Sequence, residues 1–73
     1  MPMQPVPPTA QLLRLPAVIE RTGLSRSSIY RAIAAGTFPK SVPLGEHAIG
    51  FLAADIDCWI AARVALRDAK VAA

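Results

Sequence analysis

The sequence predicts a mainly α-helical domain with a small β-hairpin, in the order helix, tight turn, helix, hairpin and closing helix. Apolar residues recur every three or four positions in three segments, which indicates three amphipathic helices. Gly23 and Gly36 follow the first two of these segments, and residues 41–52 contain two short extended stretches around Gly45. A chain of 73 residues accommodates one small domain, so an enzyme with its own large substrate cavity is not expected.

The first helix is predicted to begin near Pro16 and to end before Gly23. Proline suits the first turn of a helix, where its missing N–H would have no partner. Leu15, Val18 and Ile19 recur at helical spacing and define one apolar face. Gly23 supplies the left-handed conformation that ends many helices, and the next helix therefore follows after a tight turn.

The second helix is predicted over residues 26–35, with Ser25 as its N-cap and Gly36 just after its end. One face is apolar, with Ile29, Ala32 and Ile33. The opposite face and its flank are small, polar or basic, with Arg26, Ser27, Tyr30, Arg31 and Ala34. The apolar residues expected to fix the two helices against each other are Val18, Ile19, Leu24, Ile29 and Ile33.

Two strands are predicted at Ser41–Leu44 and Ala48–Leu52, joined by a turn at residues 45–47. Pro43 favours an edge position for the first strand, because proline cannot donate a ladder hydrogen bond. The closing helix is predicted from about Ala53 to near Lys70. Its apolar stripe, which we expect to be buried, consists of Ile56, Trp59, Ile60 and Val64.

Two short helices joined by a glycine-containing turn, the second basic on its outward side, are typical of a helix-turn-helix. A helix that enters the major groove needs small or polar outward side chains and arginines that contact guanine or phosphate. Residues 14–40 carry a net charge of +4, whereas residues 41–73 carry −1. This asymmetry favours double-stranded DNA as the partner over a basic surface that is merely solvated.

Four stretches of this sequence resemble the AlpA family of prophage regulatory proteins. The most specific is Thr22-Gly-Leu-Ser-Arg-Ser-Ser-Ile-Tyr-Arg31, within residues 13–31, followed by Gly36-Thr-Phe-Pro-Lys40. The others are Leu44-Gly-Glu-His-Ala-Ile-Gly-Phe-Leu52 and Asp55-Ile-Asp-Cys-Trp-Ile60, so the resemblance covers about residues 12–64. It implies a winged helix-turn-helix related to the MerR and excisionase DNA-binding domains, in which the hairpin of residues 41–52 is the wing.

The resemblance also implies which residues contact DNA. At the groove it places Ser25, Arg26, Ser27, Tyr30 and Arg31. Lys40 would hold a phosphate near the wing. His47 stands where the family typically has arginine, so the wing tip carries a group that is only partly protonated near neutral pH. Fewer phosphate contacts than usual are expected, because relatives often carry charged residues at the positions of Ala34, Ala35 and Pro43; Phe51 replaces a common tryptophan.

The residues suggest no catalytic, cofactor or metal site, and we expect a non-enzymatic protein. Asp55 and Asp57 are two positions apart on a helix, so their carboxylates diverge. Cys58 and His47 are too few for a structural zinc site, and a lone cysteine cannot form an intramolecular disulfide. With neither a signal peptide nor a membrane-spanning run, the expected compartment is the cytoplasm.

The expected organisation is a disordered proline-rich arm at residues 1–11, a winged helix-turn-helix DNA-binding domain at 12–70 and a frayed end at 71–73. The arm is read as a passive tail rather than a ligand for an SH3-type groove. The leading function is sequence-specific regulation of transcription from prophage or integrated-element genes, with binding as a dimer or in tandem. The alternatives are an excisionase-like architectural protein that contacts recombination or transcription proteins, and a protein-interaction module (an antirepressor) that uses the C-terminal helix.

Overall fold

The computed structural model describes residues 10–72, with side chains described for residues 10–70. Three helices and three strands are present in this range. In chain order they are β1 (Leu12–Leu13), α1 (Leu15–Thr22), α2 (Arg26–Ala35), β2 (Val42–Gly45), β3 (Ala48–Leu52) and α3 (Ala53–Ala72). The predicted arm, apart from its last two residues, and Ala73 lie outside the described residues. The predicted class, mainly α with a small β-hairpin, is confirmed, and the element order is compatible with a winged helix-turn-helix.

The ends of α1 and α2 confirm the predicted caps. Gly23 and Gly36 both adopt left-handed conformations, with φ of 75° and 80°. The N–H of Gly23 donates to the carbonyl of Ile19 at 2.8 Å and so closes the last turn of α1. The hydroxyl of Ser25 accepts from the N–H of Ser28 at 3.1 Å, which is the N-cap geometry predicted for α2.

The sheet has three antiparallel strands in the order β1-β3-β2, one strand more than the predicted hairpin. Leu12 pairs with Leu52 and Leu13 with Phe51. The sequence does not predict β1, because two residues are too few to show the alternation of a strand. Its partner residues on β3 are 38 and 40 positions away along the chain.

A register irregularity corrects the predicted bounds of the hairpin. Val42 pairs with Gly50 and Pro43 with Ile49, but Ala48 then pairs with Gly45, which leaves Leu44 as an extra residue. Because of this irregularity, β2 runs over Val42–Gly45 instead of Ser41–Leu44, and the turn shortens to residues 46–47. β2 is an edge strand, as the proline predicts.

One core joins four elements. The fully buried side chains are Val18, Ile29, Phe51 and Ile56, from α1, α2, β3 and α3 respectively. Leu13, Leu15 and Phe38 complete the buried set. The predicted contact between α1 and α2 is therefore confirmed at Val18 and Ile29, whereas Ile19, Leu24 and Ile33 are partly buried at its edge.

The buried stripe predicted for α3 is correct only in its first half. Ile56 is fully buried, and Trp59 and Ile60 are partly buried against the core. Val64 is 41% exposed, because α3 extends beyond the core and every residue of 61–70 is exposed. The helix ends at Ala72, beyond the end predicted near Lys70. No helix within the described residues is long and apolar enough to cross a membrane.

Candidate nucleic-acid interface

Helix α2 packs on the core by one side and is open on the other. Ile29 is fully buried, which fixes the rotation of the helix about its axis. The exposed residues on the outward side are Arg26, Ser27, Tyr30, Arg31 and Ala34. Tyr30 is 45% exposed, so its ring is not part of the core. This side of α2, from Arg26 to Ala34, is called the outer face below.

Hydrogen bonds hold both ends of α2. At its start, the hydroxyl of Thr22 donates to the carbonyl of Val18 at 2.8 Å and accepts from the N–H of Leu24 at 3.2 Å, which stiffens the turn from α1. At its end, the indole N–H of Trp59 donates to the carbonyl of Thr37 at 2.9 Å. Because both ends are held, the outer face has one defined direction.

The β2–β3 turn lies next to the start of α2. His47, in this turn, lines a cleft of about 300 Å³ together with Arg26 and Tyr30 of α2 and Arg14, which precedes α1. Leu15, Pro16 and Ile49 complete its lining. We call this the basic cleft. It brings together three of the residues predicted to contact DNA, from positions as distant in sequence as 26 and 47.

The electrostatics of the basic cleft favour an anion. None of the described residues that line it is acidic, and the described first turns of α1 and α2 also contain no acidic residue. A helix N-terminus carries a partial positive charge, and a nearby cation is unfavourable there. Arg14 occupies the N-cap position of α1 and Arg26 the first residue of α2, so both arginines add to the positive ends of the two helices.

The remaining predicted residues lie apart from the basic cleft. Ser27 and Arg31 belong to the outer face, and Lys40 is exposed in the loop before β2. Ser25 is engaged as a cap, since its hydroxyl accepts from the N–H of Ser28 and donates to the Ser28 hydroxyl at 3.0 Å. Its side chain therefore stabilises α2 directly.

Two arginines change the distribution of charge that the sequence suggests. Arg21 forms an ion pair with Asp57 of α3 at 3.0 Å, so part of the positive charge of residues 14–40 is matched by the closing helix. Arg14, which sequence reasoning did not include in the site, lines the basic cleft. The sequence feature that could have pointed to Arg14 is its N-cap position before α1, where a residue that accepts a hydrogen bond is usual.

Among the described residues, no group of three or more His, Cys, Asp or Glu side chains is placed to hold a metal ion. Asp57 pairs with Arg21, and Asp55 lies on the exposed surface of α3.

Residues 11–64 match the family model described as prophage CP4-57 regulatory protein (AlpA). The chain belongs to the AlpA family. The matched region begins just before β1 and ends at Val64, close to the point where α3 leaves the core. The AlpA-family region therefore includes the outer face of α2, the basic cleft and the wing.

Two relatives support this assignment. The chain is 41% identical over 68 residues to the ORF88 protein of Enterobacteria phage P4, an alignment that covers 90% of this chain and 77% of that protein. It is 40% identical over 62 residues to the DNA-binding transcriptional activator AlpA of Escherichia coli (strain K12), covering 77% of this chain and 89% of that protein. The resemblance predicted from the sequence motifs is thereby confirmed.

Proposed function

We propose that this AlpA-family protein is a sequence-specific DNA-binding regulator of transcription that reads the major groove with α2. The observation that carries the proposal is the orientation of α2, in which buried Ile29 directs Arg26, Ser27, Tyr30 and Arg31 outward. Helix-turn-helix proteins insert the second helix of the pair into the major groove with this orientation. The similarity to a DNA-binding transcriptional activator supports the same function.

Within this proposal, residues on the outer face have different roles. Arg31 contacts a base edge, since a guanidinium can donate two hydrogen bonds to guanine. Ser27 is small and lets the helix backbone approach the groove closely. Lys40 and the wing, with His47, contact the DNA backbone, which positions the protein without reading sequence. The DNA-binding domain is the segment 12–70.

The family indicates which kind of gene is regulated, and the length of α2 indicates how many copies of the protein bind. AlpA-family membership supports regulation of prophage or integrated-element genes. A ten-residue helix contacts only a few base pairs, so specific regulation requires two copies on neighbouring half-sites, as a dimer or in tandem.

The second half of α3 favours a second candidate function. Residues 61–70 are exposed, and they include the apolar side chains of Val64 and Leu66, the latter 53% exposed. A protein that contacts recombination or transcription proteins would use such a helix, either as an excisionase-like architectural factor or as an antirepressor that binds no DNA.

A salt series separates the DNA-binding candidates from the antirepressor. We would measure binding of the full chain to a pool of random-sequence duplexes by fluorescence anisotropy from 50 to 300 mM salt, and select preferred sites from the pool. DNA binding predicts a linear fall of log affinity with log salt, because neutralised phosphates release counterions. A folded protein that binds no duplex at 50 mM salt would overturn the proposal and favour the antirepressor.

A further inference from the structure

We propose that the basic cleft binds a single phosphate of the DNA backbone, held jointly by Arg14, Arg26 and His47. This inference rests on the proposed DNA binding and identifies the partner of one site within it. It also assigns a role to Arg14, which lies outside the helix-turn-helix outer face. Three separate elements, the start of α1, the start of α2 and the wing, would then hold one point of the duplex.

The composition of the cleft fits a phosphate. Arg14, Arg26 and His47 supply donors, and all three side chains are exposed and accessible to a ligand. Arginine pairs with phosphate through two parallel charge-assisted hydrogen bonds. The hydroxyl of Tyr30, at the same cleft, is a further donor. Leu15, Pro16 and Ile49 complete the lining of the cleft.

The charges around the cleft are unbalanced without an anion. Arg14 and Arg26 lie at the positive ends of α1 and α2, where cations are unfavourable. The nearest acidic residue along the wing is Glu46, which is exposed and does not line the cleft. A backbone phosphate carries one negative charge, so a bound phosphate would partly offset the two arginines and the two helix dipoles.

The position of the cleft favours a phosphate of DNA over a free phosphate ion. Arg26 and Tyr30 belong both to the basic cleft and to the outer face of α2. If α2 lies in the major groove, the cleft is therefore beside the groove edge, where the backbone runs. The exposed walls also leave the cleft open to a polymer that passes across it.

The salt dependence of DNA binding counts phosphates and so tests the proposal. We would compare the wild type with the triple variant Arg14→Gln/Arg26→Gln/His47→Gln on the random duplex pool at one fixed pH. Each neutralised phosphate contributes about 0.9 to the slope of log affinity against log salt. Lys70→Gln, which removes a charge from the far end of α3, is the matched control.

A single shared phosphate predicts that the slope falls by about 0.9 in the triple variant. Between 50 and 200 mM salt, the wild type should then lose about 3.5-fold more affinity than the triple variant, and Lys70→Gln should match the wild type. A slope change near 2.7, or about a 40-fold difference, would mean three separate phosphates and would overturn the shared site.

The remaining outcomes distinguish this inference from the proposed function. If the wild type binds DNA and the triple variant keeps its slope, the cleft contacts no backbone phosphate, and only this inference fails. If the wild type binds no DNA, both fail together.

A titration of inorganic phosphate into the DNA-free protein, followed by NMR of the arginine Nε–H groups, identifies a free-ion site. Saturable shifts at Arg14 and Arg26 with an unchanged DNA slope would also overturn the inference. The circular dichroism spectrum checks that each variant is folded.

Discussion

The indole N–H of Trp59 donates to the carbonyl of Thr37 at 2.9 Å, which connects α3 to the chain just after α2. The adjacent Phe38 packs its ring against Trp59 at a centroid distance of 5.0 Å and against Phe51 at 6.0 Å. The closing helix therefore holds the C-terminal end of α2. The aromatic contact of Phe38 and the hydrogen bond of Thr37 both join Trp59 to the segment that follows α2.

Trp59→Phe should lower the free energy of unfolding by about 1 kcal/mol, the usual net value of a hydrogen bond. Phenylalanine keeps a ring at this position but has no N–H for the Thr37 carbonyl. Urea denaturation followed by circular dichroism measures the change. Cys58→Ser, at the neighbouring exposed position, is the control and should leave stability unchanged. Equal stability of Trp59→Phe and the control would contradict the role of this hydrogen bond.

Ile29 connects α2 to the core, and its truncation should be far more costly than truncation of an exposed residue. Ile29→Ala removes a fully buried side chain and should cost about 3 kcal/mol, whereas Ile29→Val should cost about 1 kcal/mol. Leu66→Ala, at a side chain 53% exposed, should change stability by less than about 0.5 kcal/mol. Similar losses for Ile29→Ala and Leu66→Ala in thermal or urea unfolding would refute this packing.

Gly50 is required by a close approach between strands. A Cβ at this position would lie 2.9 Å from Cδ1 of Leu44 and 3.3 Å from the backbone carbonyl oxygen of Leu13. The Leu44 side chain can move, but the carbonyl belongs to β1, so Gly50→Ala should cost about 1 kcal/mol by overpacking. At Gly45 a Cβ meets no described atom within 4 Å, and Gly45→Ala is the matched control. Urea unfolding in which both variants are equally stable would rule out the steric cause.

His47→Arg should raise the affinity for DNA severalfold at about pH 7.5, because arginine carries a permanent charge and pairs with phosphate through two hydrogen bonds. The arginine would face the bound phosphate beside Arg14, Arg26 and Tyr30, with Glu46 next to it in the turn. Anisotropy titrations at constant salt measure the change, and equal affinities of the variant and the wild type would exclude a contact from residue 47.

The helices were predictable from sequence because their end signals are local. Pro16 and Gly23 bound α1, and Ser25 and Gly36 bound α2, within a few residues of the helices they terminate. By contrast, β1 depends on pairing with β3, which lies 38 to 40 positions later in the chain. Periodicity also continues along α3 after the core has ended, which is why Val64 was expected to be buried and is exposed.

The exposure of the candidate residues was predictable from the sequence, but their arrangement in space was not. The outward direction of Ser27 and Arg31 follows from their spacing relative to Ile29, and Arg26 and Tyr30 lie on the flank of that face. The basic cleft depends on the position of the wing turn relative to the starts of two helices, which a single sequence does not give. For the same reason, the pairing of Arg21 with Asp57, 36 positions apart, is absent from a charge count along the chain.

If α2 reads base pairs, as we propose, the side chain of Arg31 contributes to the preference for one DNA sequence over another. The measurement compares affinities for a selected duplex and for a shuffled duplex of the same composition, at one salt concentration. Arg67→Ala, another exposed arginine but on α3, is the matched control.

If Arg31 contacts a base, Arg31→Ala should lose about 1–3 kcal/mol on the selected duplex and much less on the shuffled one. The control should bind both duplexes like the wild type. Equal losses of Arg31→Ala on the two duplexes, or no loss on either, would contradict base reading by α2.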